Sequence, residues 1–133
     1  MIVSLHVATG AAAGAATGSR LGALLLGPVL HLAGDRVPHE DIHSRRFEVA
    51  SGAACLALVA ATRGPLDPAT LGAAASSAPD LEHLVPLLRP RGRKLFHGRR
   101  GWHRSGPFPA QLQLVLAGAL VGTVIAARAG RHC

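Results

Sequence analysis

Tyrosine is absent from this 133-residue chain, which carries one tryptophan and three phenylalanines. That scarcity argues against a soluble core filled with aromatic rings, and against the row of stacking aromatics on which nucleic-acid bases would sit. No nucleic-acid partner is expected. Acids are scarce too, seven against 14 Lys and Arg, which leaves a formal net charge of +7. An anionic partner is implied. Because the bases punctuate apolar runs, that partner is expected to be anionic lipid or a phosphate-bearing substrate. Cysteine is limited to Cys55 and Cys133, too few for a disulfide framework. The opening "MIVSLHVATGAAAGAATGSR" lacks the basic n-region of a signal peptide. Although "AAAGAATG" could be read as a cleavage site, the segment is expected to be retained.

What is present in quantity is alanine, glycine and aliphatic side chain, with 49% hydrophobic residues and a positive mean hydropathy. The length fits a single domain over 1–133. Apolar segments stand at 2–19, 21–34, 47–62, 66–79 and 105–127. Only the last comfortably reaches the 20 or so residues of a transmembrane helix. At about 1.5 Å per residue, the middle three would span roughly 20 Å of a hydrocarbon core about 30 Å thick. They would need local thinning, a re-entrant path or shelter among other helices. The expected fold is all-α: a small polytopic transmembrane bundle of four to five helices, some short or re-entrant. A soluble helical bundle is the alternative, but "FPAQLQLVLAGALVGTVIAARAG" shows no polar stripe beyond Gln111 and Gln113. Ten of the 14 Lys and Arg lie in two polar loops, 35–46 and 80–104. The positive-inside rule then places both loops and the N-terminus on the cytoplasmic side of the lipid bilayer, taken as a bacterial inner membrane.

Those loops also hold most of the groups that bind metals. "HLAGDRVPHED" sets His31 and Asp35 four apart, on one helix face, within reach of one divalent ion. Pro38 ends the helix, so His39 and Asp41 can fold back toward its end. Helix-surface pairs at this spacing are common without a metal. "SSAPDLEHLVP" sets Asp80 and His83 three apart, with Ser77 able to cap and Pro79 suited to a first turn. Its acids would also simply complement a helix N-terminus. His6, in the first apolar run, should face a ligand or make a helix-helix hydrogen bond. "LFHGRRGWHRSG" offers His97 and His103 among Arg99, Arg100 and Arg104, in what also reads as a basic juxtamembrane loop anchored by Trp102.

"HLAGDRVPHED", "APDLEH" and "LFHGRRGWHRSG", in this order between apolar helices, resemble the small integral-membrane proteins grouped as predicted membrane-bound metal-dependent hydrolases. That family shows a His-x-x-x-Asp pair at a helix end, a Pro-Asp-x-[Asp/Glu]-His motif and a His-Arg loop before its last helix. The resemblance runs from His6 to about Gly106. It implies His31 and Asp35 for the first motif, Asp80, Glu82 and His83 for the second, and His103 for the third. The step "GWHRSGPF" departs from the family's usual Thr-His-Ser loop end.

The resulting expectation is a membrane hydrolase with a divalent ion, zinc foremost, at the cytoplasmic face. His31, Asp35, Asp80 and His83 would converge on one ion, at least three of them around a single point, with His6 and His103 next. Glu82 or Asp41 would take the proton of a metal-activated water. Arg99, Arg100 and Arg104 would neutralise a phosphoester or lipid headgroup. The alternative is a non-catalytic metal-binding or structural membrane protein.

Overall fold

The structure, a computed structural model, describes residues 1–85, 89–97 and 101–129. It is all-α: the helices are α1 (Val3–Thr17), α2 (Arg20–Arg36), α3 (Arg45–Arg63), α4 (Pro68–Ser77), the single turn α5 (Leu81–Leu84) and α6 (Ala110–Ala129). Short 3-10 turns occupy Ala78–Asp80 and Pro90–Gly92. The described residues form no strand, only isolated bridges from His39 to Ser105 and Phe108.

Local chemistry sets the helix ends. The Ser19 and Ser44 hydroxyls accept from the backbone N–H groups of Gly22 and Phe47, and Asp67 caps α4 by accepting from Ala69, with Pro68 in the first turn. α2 stops at Arg36 because Pro38 forces Val37 into an extended conformation (φ −70°, ψ 122°). Ser77 departs from expectation. It ends α4 instead of capping a new helix, its hydroxyl donating back to the Ala73 and Ala74 carbonyls, and the chain then tightens through Pro79 into a 3-10 turn.

Small residues let the helices approach closely around α1. A Cβ on Gly10 would stand 2.2 Å from the Gly72 carbonyl oxygen, and one on Gly14 would stand 2.0 Å from that of Pro68. α1 and α4 therefore cross backbone to backbone. Ile2, Leu5, Val7, Ala8 and Ala11 of this region pack with Val59, Ala69, Ala73, Ala117, Val121 and Val124 into the core. Large apolar side chains lie outside it: Leu21, Leu25 and Val115 are 67%, 64% and 66% exposed.

Among the described residues one helix is long and apolar enough to cross a membrane, α6 over Ala110–Ala127, with 22% of that span buried. The other expected segments do form helices. α1, α2 and α4, at 15, 17 and 10 residues, are short for a crossing, and α3 carries Arg45, Arg46, Glu48 and Arg63. Five membrane crossings therefore do not follow from helix length.

The helices alternate in direction, which brings Met1, the end of α2, the start of α3, the end of α4 and the start of α6 to one end of the bundle. The two polar loops meet there. His39 N–H donates to the Arg104 carbonyl, Gly106 N–H to the His39 carbonyl, Arg104 N–H to the Asp35 carbonyl and Glu40 N–H to the Phe108 carbonyl. At the opposite end, Arg63 ties α3 to Asp67 (3.3 Å) and to the Val124 carbonyl of α6 (3.2 Å). Cys55 is free, and Cys133 lies outside the described residues.

Candidate metal centre

Asp35, one residue before the end of α2, is 3% exposed and stands at the middle of a histidine cluster. One of its oxygens receives the Met1 amino group (2.6 Å) and His6 Nε2 (2.9 Å). The other faces His31 Nε2 (3.4 Å), His97 Nε2 (3.1 Å) and His103 Nδ1 (3.5 Å). Asp80 approaches from α4's end, with its oxygens 3.9 Å from His31 Nδ1 and 3.4 Å from His97 Nε2. His6, His31 and His39 are fully buried, and His6 stacks on His31 with ring centroids 3.9 Å apart.

Three imidazoles share one arrangement. His31 Nδ1 donates to the Ser76 carbonyl (2.9 Å), His39 Nδ1 to the Val37 carbonyl (2.7 Å) and His97 Nδ1 to the Glu82 carboxylate (2.6 Å). Pinning each Nδ1–H to an oxygen fixes the ring and turns Nε2 inward, the orientation that metal-ligating histidines take. His31 Nε2 and His97 Nε2 then lie 3.4 Å apart. His39 Nε2 meets the Met1 amino group and Asp41. Two lone pairs facing each other need a proton or a cation between them.

Four groups of three have ligand atoms within 4.8 Å of one another: His6, His31 and Asp80; His31, Asp35 and His97; Asp35, His39 and His103; Asp80, His83 and His97. The donor set, imidazole and carboxylate, suits zinc and related divalent ions. Asp80 Oδ2 and His6 Nδ1 are buried without a hydrogen-bond partner among the described residues, as a site built for an additional ligand would leave them.

The sequence-derived residues fall into place unevenly. His31 and Asp35 share one group and Asp80 and His83 another, but no group takes three of these four. The expected single point is thus replaced by adjoining groups, and His97, which belongs to two of them, joins the pairs. His6 and His103 each belong to one of these groups. His97 and His39 were not singled out as ligands; both depend on how the loops fold. Glu82 holds His97 in place: its buried carboxylate accepts from the N–H groups of Leu95 (2.6 Å), Phe96 (3.1 Å) and His97 (2.8 Å) as well as from the His97 ring. Gln113 does the same for the other loop. Fully buried, it accepts from Ile2 N–H and donates to the Glu40 and Phe108 carbonyls.

Asp41 is half exposed and contacts His39 (3.1 Å) and His103 (3.2 Å). The exposed Arg104 enters through its backbone bonds to Asp35 and His39. Arg99 and Arg100 lie outside the described residues. No arginine side chain is recorded in an ion pair with Asp35 or Asp80 among the described residues. The cations that do line the adjoining cavity are Arg45 and Lys94, the latter 3.1 Å from His83 Nδ1.

Charge follows geometry. Burial alone would lower the pKa of His97, but Asp35, Asp80 and Glu82 outweigh it and raise it to about 10. Hydrogen bonds to Asp35 and Asp41 raise His103 to about 9 against its burial, and in return His103 and His39 hold Asp41 well below the usual carboxylate range. Burial would raise Glu82, yet its N–H donors hold it at about 2. His83 goes the other way, lowered to about 4 by burial and by the neighbouring His97 and Lys94. No family model, curated protein or solved structure matches this chain, so the chemistry of the cluster itself carries what can be said of function.

Proposed function

We propose that this chain is an integral-membrane, metal-dependent hydrolase acting on a phosphate-bearing ester, with its divalent ion, zinc foremost, held in the His/Asp cluster. The observation that carries the reading is the shared arrangement of His31, His39 and His97, each with Nδ1–H pinned to an oxygen and Nε2 turned toward Asp35 or Asp41. Such an ion, when bound, polarises the scissile group and lowers the pKa of a bound water to about 7. His31, Asp35 and His97 would hold it, with Glu82 keeping the His97 ring in place. Because the Glu82 oxygens are buried and occupied by four donors, the half-exposed Asp41 is the more accessible proton acceptor. Asp41 stands at the cavity wall in contact with His103, which can return the proton to the leaving group. Lys94 and Arg45 would attract the anionic substrate.

A membrane setting is supported by small residues at the helix contacts, alanine and valine with closely packed Gly10, Gly14 and Gly72, and by many large leucines on the outside. It is also supported by α6 and by the gathering of both basic loops at one end of the bundle. Metal analysis of purified wild-type, His31→Ala and His97→Ala protein tests the reading, together with turnover of aryl phosphate mono- and diesters before and after chelation. Bound ion that both variants lose, and turnover that zinc restores, are expected. Ion without any chelator-sensitive turnover would leave a non-catalytic metal protein, and no ion in the wild type would end the reading altogether.

A further inference from the structure

A cavity of about 490 Å³ opens beside the cluster, between α1, α3 and the 80–84 turn. Its volume is typical of a small-molecule site. At one end it is lined by Asp41, Asp80, His83, His97 and His103, the groups through which an ion and a phosphate would be held, with Lys94 and Arg45 beside them. Away from that end the wall changes character. Val3 and Val7 of α1 face Val49, Ala53 and Leu56 of α3, spaced 49, 53 and 56 so that they form one helical face. This face runs for about 10 Å at 1.5 Å per residue. Gly52 keeps α1 and α3 close at its floor, since a Cβ there would stand 2.5 Å from Val3 Cγ1. Leu81 and Leu84 form the rim and are exposed as well, at 46% and 47%.

A soluble sugar or nucleoside phosphate would leave its hydroxyl groups against valine and leucine along this face, without partners. An alkyl chain would lose nothing there. Glu48 lines the same cavity and adds a carboxylate to this wall. A second phosphate beside it would be repelled, whereas a hydroxyl or a neutral ester linkage would not.

From this continuity of ion-binding end, cationic flank and apolar face we propose that the substrate is a single-phosphate amphiphile, its headgroup at His97 and Lys94 and its acyl or alkyl chain along Val7, Val49, Ala53 and Leu56. The proposal rests on the metal-dependent reading given above and narrows its substrate from phosphoesters in general to lipids.

The test uses zinc-loaded protein in amphipol, titrated calorimetrically with inorganic phosphate and with butyl, hexyl and octyl phosphate below their micelle concentrations. Burying a methylene is worth about 0.8 kcal/mol, or about fourfold in affinity, so octyl phosphate, four methylenes longer, should bind about 200-fold more tightly than butyl phosphate. Octanol, without the headgroup, should bind far more weakly than octyl phosphate. Ala53→Trp, which fills the groove, should flatten the chain-length series and leave inorganic phosphate binding unchanged. Leu56→Ala should weaken octyl phosphate several-fold with the same selectivity, and serves if the tryptophan variant does not fold. Zinc-dependent phosphate binding with no chain-length dependence in the wild type would overturn the amphiphile and leave the metal reading standing. Absence of zinc-dependent phosphate binding would overturn both.

Discussion

His97 serves two ligand groups at once, whereas His83 serves one. His97→Ala should therefore reduce zinc affinity more than His83→Ala, as competition with a chromogenic chelator would measure. Glu82→Gln makes a finer distinction. The amide keeps the size of the side chain but loses the charge-assisted bonds to the 95–97 backbone and the His97 ring, and outer carboxylates of this kind are worth about 10- to 100-fold in metal affinity. An unchanged affinity would show that Glu82 serves the loop alone. The protonation of His97 and His103 gives a signed pH prediction. Both pKa values are raised above the ordinary value of about 6.5. Their contribution to the stability of metal-free protein is thus fully present below pH 6.5 and is lost as pH rises through about 9 and about 10. Thermal unfolding of chelated protein should show the midpoint falling between pH 7 and 10. Zinc must displace those same protons, so its affinity should rise over the same range, and the two trends should run in opposite directions. The pairs His31/Asp35 and Asp80/His83 were legible because a helical turn brings i, i+3 and i, i+4 residues together without help from the rest of the chain. Pro38 could only suggest that His39 folds back, and nothing in the neighbourhood of His97 in the sequence aims it at Asp35.

The helices themselves were readable from apolar runs bounded by Ser, Asp, Pro and Gly, and the observed ends lie within a few residues of the expected segments except before α6. The last segment was expected from residue 105, yet 105–109 form the extended stretch that pairs with His39 and Glu40. Backbone pairing between distant segments leaves no periodicity to detect. The crossing of α1 and α4 is a second feature that only the fold reveals, because alanine- and glycine-rich stretches look alike whether or not they touch. Gly72→Val tests it. A Cβ at Gly72 would stand 2.3 Å from the Gly10 carbonyl oxygen, so the helices must separate, at a cost of about 3 kcal/mol or more in stability. Gly118→Val, where a Cβ meets nothing within 4 Å, should cost far less. Comparable losses of unfolding midpoint in the two variants would show that the close crossing contributes little.

At the level of the whole molecule, the two polar loops share one end of the bundle, so single cysteines introduced at the exposed Ser44 and Ser105, in a background lacking both native cysteines, should be labelled from the same side of sealed vesicles. Opposite labelling would require a different order of helices. Alkaline carbonate extraction should leave the protein in the pellet, and recovery in the supernatant would remove the bilayer from the proposal. The clasp between His39 and the 104–108 stretch also fixes when the centre can come into being. A chain emerging from the ribosome exposes His31, Asp35 and His39 well before the partners that close around them, His97, His103 and the Gln113 that straps Ile2 and Glu40. Under the proposed function an ion would be captured only after these segments are made, and a nascent chain halted before α6 would hold half a set of ligands and no closed loop. Metal content would then measure correct folding through α6 as well as chemistry.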